Sequence, residues 1–209
     1  MNTIIWDMGG TLVDTYPEVD RALARAVWGD GPTPEQLHEV STLRSTSIAH
    51  AIDVLSNRHE VDRRVLDEAY SALKHRWESR PAPLMDGAVE VMAAVHAAGG
   101  LNLVATHRDR TSAGALLDGL GLHPDDLICA PDGYPRKPDP TMFQLLMRRH
   151  RLRAADVLCV GDRPIDVEAA EAAGLAGALL VPEGDVRTQD LPKGCLVISS
   201  LRDLLTQIG

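Results

Sequence analysis

Four short segments hold the residues that could do chemistry. The run Thr3–Trp6 ends in Asp7-Met8-Gly9-Gly10-Thr11-Leu12-Val13-Asp14. An aspartate there, followed by a glycine pair that exposes backbone N–H groups, suits a nucleophile toward a bound phosphate or a metal ligand. A second apolar run, 101–105, ends in Thr106-His107-Arg108-Asp109, which adds a hydroxyl and an imidazole that titrates near neutral pH. The segment Arg136-Lys137-Pro138-Asp139-Pro140 places Lys137 just before a proline-marked helix start, where its ammonium could balance phosphate and carboxylate charge. Finally, 157–160 is followed by Gly161-Asp162-Arg163-Pro164-Ile165-Asp166. Two carboxylates four apart, straddling a turn into a helix, match an Mg²⁺ site made of few protein oxygens plus phosphate and water.

Each segment also has a plainer explanation. Asp7 with Gly9 and Gly10 could form only a tight turn, and Thr106 could cap the following helix. Lys137 could be a solvated loop charge, although the chain has only two other lysines, Lys74 and Lys193. Asp162 and Asp166 could be a cap and a first-turn residue favoured by the helix dipole, which is compatible with metal binding. Arg108 and Arg163 flank the same segments as possible substrate contacts or solvated charges, and the spacing of Arg44 and His50 leaves their orientation open.

The elements that must position these groups follow from the apolar pattern. Short runs without alternation recur at Thr3–Trp6, 101–105, 127–130, 157–160 and 177–181, with a weaker one at 195–198. Such runs suit strands buried on both faces of a parallel sheet. Helical segments at 88–98, 112–120, 141–151, 165–173 and 201–208 alternate with them, several stopped by glycine. The reading is α/β, a doubly wound, Rossmann-like parallel sheet. Residues 15–81 break the alternation: apolar positions fall at helical spacing, with Trp28 and Trp77 assigned to their core. The expected organisation is therefore an α/β core of residues 1–14 and 82–209 with an inserted helical cap domain, 15–81, over the end of the first strand.

Composition narrows the function. A chain of 209 residues can bury a full core without staples. Thirty acidic against twenty-one basic residues leave a net charge of −9, which argues against nucleic acid or an anionic membrane surface as partner. No window approaches the ~18 apolar residues of a membrane helix. The cysteines Cys129, Cys159 and Cys195 are odd in number and lack a C-x-x-C spacing, which reads as buried thiols of a cytoplasmic protein.

Taken in order, the four segments resemble the haloacid dehalogenase superfamily, in particular its phosphoglycolate phosphatase and β-phosphoglucomutase-like branch with a small helical cap. The resemblance spans essentially the whole chain, including the re-entry Pro83-Leu84-Met85-Asp86-Gly87. It implies that Asp7 is the nucleophile that forms an aspartyl-phosphate, with Gly10, Thr11, Thr106, His107, Arg108 and Lys137 around the phosphate. Lys137 would also steady the nucleophile. Asp7, the Gly9 carbonyl and Asp162 would hold Mg²⁺, with Asp166 as a further ligand or a partner behind the ligands. The cap would close over the site and select a small phosphorylated metabolite, in a monomer or homodimer.

One position departs from that pattern. Family phosphatases carry a second aspartate two residues after the nucleophile, as general acid and base, and here it is Gly9. Such assistance is worth ~10²–10⁴-fold, so turnover should be slow unless another group substitutes. His107, with Asp109 on the same loop, is the candidate substitute. The competing reading is a catalytically weak or inactive relative that binds a phosphorylated ligand or a protein partner. Metal-free dehalogenase and mutase chemistry are disfavoured, the first by the acidic 161–166 segment and the second by Gly9.

Overall fold

The computed structural model describes residues 1–181 and 191–209. Strand β1 (Thr3–Trp6) is buried along its whole length. It is followed by four helices: α1 (Tyr16–Trp28), α2 (Pro34–Arg44), α3 (Ile48–His59) and α4 (Arg63–Ser79). The chain then alternates through α5 (Ala88–Ala97), β2 (Asn102–Thr106), α6 (Arg110–Gly119), β3 (Asp126–Cys129), α7 (Thr141–His150), β4 (Val157–Gly161), α8 (Pro164–Ala172), β5 (Ala176–Leu180) and β6 (Leu196–Ile198). The segment expected to close the chain as a helix is instead a 3₁₀ turn, Leu201–Thr206. Six residues are too few to recover the cost of nucleating an α-helix, and Ser200 and Asp203 cap the N-terminus of the tighter turn reciprocally.

All strand pairings are parallel, and the order is β3-β2-β1-β4-β5-β6. The chain builds outward from β1 through β2 and β3, then crosses back to add β4, β5 and β6 on the other side. The carboxyl ends of β1 and β4 therefore flank the point where strand order reverses, the usual ligand crevice of an open α/β sheet. One face packs Ile5, Leu103, Ala105, Ile128 and Cys159 against Met142, Phe143 and Leu146 of α7. With one Phe in the chain, aliphatic side chains must supply most of this burial.

The chain divides into two compact units, Met1–Asp14 with Pro83–Gly209, and Thr15–Ala82. In the helical unit, Val19 and Leu23 of α1, Ile52 and Leu55 of α3, and Leu66, Leu73 and Trp77 of α4 are buried. Trp77 also donates its indole N–H to Glu18, which meets the polar requirement of a buried tryptophan. Trp28 is only half-buried and meets His59 edge-on at 4.7 Å. Arg44 makes a two-point pair with Asp20 (2.6 and 3.0 Å) and lies over the Tyr16 ring, so it braces this unit. His50 is exposed.

Candidate active site

Register brings the four segments to one sheet edge. Trp6 pairs with Val160 and Thr106 with Cys129, so Asp7 and Asp162 emerge beside each other from β1 and β4, and Thr106 closes the neighbouring β2. The Asp7 N–H donates to the Val160 carbonyl (2.8 Å), which extends the ladder by one residue and holds the Asp7 backbone still.

The next turn folds back on itself. The Met8 carbonyl accepts from Leu12 and Val13, each at 2.9 Å, and the Met8 side chain is fully buried beneath. Gly10 takes φ = 89°, a conformation that penalises any side chain, and its N–H donates to the Val13 carbonyl. That N–H is spent within the turn, so Gly10 does not offer it to a phosphate, contrary to the expectation from sequence. Thr11 is likewise corrected: it is fully buried and its hydroxyl donates to Asp162 Oδ1 (3.2 Å). Its place is behind a carboxylate, which it aims.

Lys137 is the electrostatic centre. Its side chain is wholly buried, and its ammonium meets an oxygen of Asp7, Asp166 Oδ1 (2.5 Å) and the Ala105 carbonyl (3.1 Å). Burial by itself works to lower the lysine pKa. The two carboxylates outweigh it and hold the group above its ordinary value, so Lys137 stays charged. Asp7 and the Ala105 carbonyl accept hydrogen bonds from the ammonium, and Asp166 Oδ1 lies in ion-pair contact with it.

Asp166 has both oxygens engaged, Oδ1 by Lys137 and Oδ2 by the Arg163 N–H (3.1 Å). The ion pair suits the second of its two expected roles, a partner behind the metal ligands. Gly161 makes that position possible, since a Cβ there would lie 2.3 Å from the Asp166 side chain. Gly161 is the site residue whose role sequence reasoning missed. Its signal was a glycine at the last position of a buried strand, directly before the acidic turn.

Thr106 is buried, and its hydroxyl oxygen accepts from the Arg108 N–H (3.2 Å), which leaves the hydroxyl proton free to be directed elsewhere. It does not cap α6; Asp109 does, accepting from Ser112 N–H. Arg108 reaches back to the Ser112 hydroxyl (3.0 Å). His107 does not fit the role of proton carrier. Its Nε2 accepts the Lys137 backbone N–H (2.8 Å), so the ring proton must sit on Nδ1. Burial, then the positive charges of Lys137, Arg163 and Arg136, lower its pKa to about 3 against a smaller opposing pull from Asp166. The ring is neutral near pH 7 and anchors the loop that carries Lys137.

A family model described as haloacid dehalogenase-like hydrolase matches residues 1–174. The chain belongs to the haloacid dehalogenase-like hydrolases. Among curated relatives of this hydrolase, a phosphoglycolate phosphatase of Cereibacter sphaeroides is 31% identical over 186 residues, covering 86% of this chain and 84% of the relative. A crystal structure described as a predicted phosphoglycolate phosphatase from Haemophilus somnus superposes with a TM-score of 0.80 at 19% identity, covering 99% and 97% of the two chains. A haloacid dehalogenase-type hydrolase of Bacillus subtilis, described as bound to magnesium, matches with a TM-score of 0.77 at 16% identity, covering 100% and 98%. The last two likenesses show the fold, and the doubly wound sheet read from the sequence is borne out.

The donors expected to hold a cation are all oxygens: the Asp7 and Asp162 carboxylates and the Gly9 carbonyl. Among the described residues, no three His, Cys, Asp or Glu side chains are grouped to hold a metal ion. Two carboxylates and a carbonyl with no nitrogen or sulfur suit Mg²⁺, which takes few protein ligands and fills its shell with water and substrate phosphate. The residues present fit that ion.

Proposed function

We propose that this hydrolase is a phosphatase that transfers the phosphoryl group of a small metabolite to Asp7 and then to water. The observation that carries the reading is the buried Asp7–Lys137–Asp166 chain of charges at the carboxyl edge of the sheet. A charged lysine between two carboxylates turns one oxygen of Asp7 toward Lys137, so the other is available to attack phosphorus. The Thr106 hydroxyl donates to a phosphoryl oxygen, and the Lys137 charge offsets the negative charge that gathers in the transition state.

Asp7, the Gly9 carbonyl and Asp162 would hold Mg²⁺, and Thr11 would orient Asp162 for it. When bound, the ion would neutralise phosphate charge beside the nucleophile. In this reading the helical unit selects the substrate, and the chain works in the cytoplasm, which accords with its three free cysteines. A second reading, a phosphate-binding relative with little turnover, is favoured by one observation: His107 is held as an acceptor and cannot replace the acid missing at Gly9.

Phosphate release from acetyl phosphate, with Mg²⁺ against EDTA, tests the proposal. Mg²⁺-dependent release that disappears in Asp7→Asn supports it. Tight phosphate binding with no release, unaffected by Asp7→Asn, would transfer the chain to the second reading.

A further inference from the structure

Transfer to Asp7 breaks the bond between phosphorus and the leaving oxygen, and the electron pair departs with that oxygen. An alkoxide departs well only if a group on the enzyme protonates it as the bond breaks. A carboxylate leaving group needs no proton near pH 7. Which substrates react therefore depends on whether the site holds a usable acid.

Among the described residues that the four segments bring to the sheet edge with Asp7, none offers one; Asp109, on the loop after Thr106, is spent as the N-cap of α6, accepting from the Ser112 N–H. Asp166 is ion-paired with Lys137 through Oδ1 and accepts the Arg163 N–H at Oδ2, and Asp162 accepts from Thr11. Lys137 donates to Asp7 and the Ala105 carbonyl and is ion-paired with Asp166. His107 has Nε2 occupied by the Lys137 N–H, and the remaining Nδ1–H of a neutral imidazole is no acid. Arg108 and Arg163 carry guanidiniums, which do not release protons in proteins. The turn position two residues beyond Asp7 is Gly9, half-buried and without a side chain.

We propose that this hydrolase acts on phosphates whose leaving group departs unprotonated, acyl phosphates and related mixed anhydrides, in preference to alkyl phosphate esters. The inference rests on the reading of Asp7 as nucleophile. In the first step an Asp7 oxygen bonds to phosphorus and the acyl carboxylate leaves with the electron pair. In the second, water attacks the same phosphorus, the Asp7 carboxylate leaves, and the proton of the water passes to a phosphoryl oxygen. No co-reactant is required. The missing acid imposes a loss of ~10²–10⁴-fold on alkyl esters, the ordinary worth of general acid catalysis, and almost none on acyl phosphates.

The experiment measures kcat/KM, which reports the first transfer irrespective of how slowly phospho-Asp7 hydrolyses. Acetyl phosphate, aryl phosphates of graded phenol acidity and 2-phosphoglycolate are compared in wild type and Gly9→Asp. Gly9 is not among the glycines with positive φ, so the backbone there admits an aspartate. The expected result is a steep fall of kcat/KM with leaving-group basicity in wild type. Gly9→Asp should raise the ratio of kcat/KM for 2-phosphoglycolate to that for acetyl phosphate by about tenfold or more. If wild type handles the alkyl ester within about tenfold of acetyl phosphate, with a shallow dependence across the aryl series, the inference is wrong while the phosphatase reading stands. If no substrate phosphorylates Asp7, the phosphatase reading fails and takes the inference with it. Should Gly9→Asp not fold, the wild-type slope decides alone.

Discussion

Replacing Lys137 by Met tests the charge chain on which the site is built. The substitution keeps much of the side-chain volume and deletes the ammonium, so Asp7 and Asp166 are left as two like charges at a buried edge, and the Ala105 carbonyl loses its donor. Removing one partner from a buried ion pair costs about 3–5 kcal/mol, and this lysine serves two carboxylates. For a chain of this size the urea m-value lies toward the upper end of the ~1–3 kcal/mol/M range, so the midpoint should fall by about 1–2 M. The double variant Lys137→Met/Asp166→Asn should regain part of the loss, because one of the stranded charges is gone.

The pH dependence adds a second, independent reading. The folded-state pKa of Lys137 is raised above its unfolded value, so its stabilisation is fully present below about pH 10.4. It is lost only as the pH climbs from there through the folded value. The gap between wild type and Lys137→Met should therefore stay constant from neutral pH to well into the alkaline range, then narrow. Equilibrium urea unfolding followed by circular dichroism at several pH values measures both. A loss below about 1 kcal/mol near neutral pH, the worth of a solvated surface pair, would refute the buried triad.

His107 should remain neutral, with its proton on Nδ1, across the range in which ordinary histidines titrate, as ¹⁵N-resolved imidazole NMR would show. Its pKa is lowered to about 3, so its contribution to stability is complete above about pH 6.5 and declines as the pH falls below that value. His107→Ala strands the Lys137 N–H at a cost of about 1–3 kcal/mol, and the deficit against wild type should shrink as the pH is lowered. Thr11→Val keeps the shape and removes the hydrogen bond to Asp162; activity titrations should need about tenfold or more Mg²⁺ for half-saturation. Gly161→Ala drives a methyl into Asp166 and should lower stability by about 1–3 kcal/mol in a thermal or urea melt.

Much of this protein can be read along the chain because its elements are local. A buried parallel strand is a short apolar run whatever surrounds it, and the glycines after 98, 120 and 173 stop helices by their own conformational freedom. Asp7, Thr106 and Asp162 could be singled out because each ends such a run, and parallel strands bring all their carboxyl ends to one edge. Lys137 stood out as one of three lysines placed before a helix. The helical pattern of 201–208 misled because periodicity alone does not measure whether a segment is long enough to nucleate.

What each polar atom does was settled only by folding. Residues 130 positions apart in the chain, Asp7 and Lys137, meet because β1 and the loop after β3 converge on one edge, and no sequence spacing encodes that contact. Asp166 became the lysine's partner, Thr11 turned to Asp162, and His107 gave its free nitrogen to a backbone N–H. Residue type sets which hydrogen bonds a side chain is able to make. Burial decides which of them it must make, because a polar group cut off from water has to find its partner inside the fold.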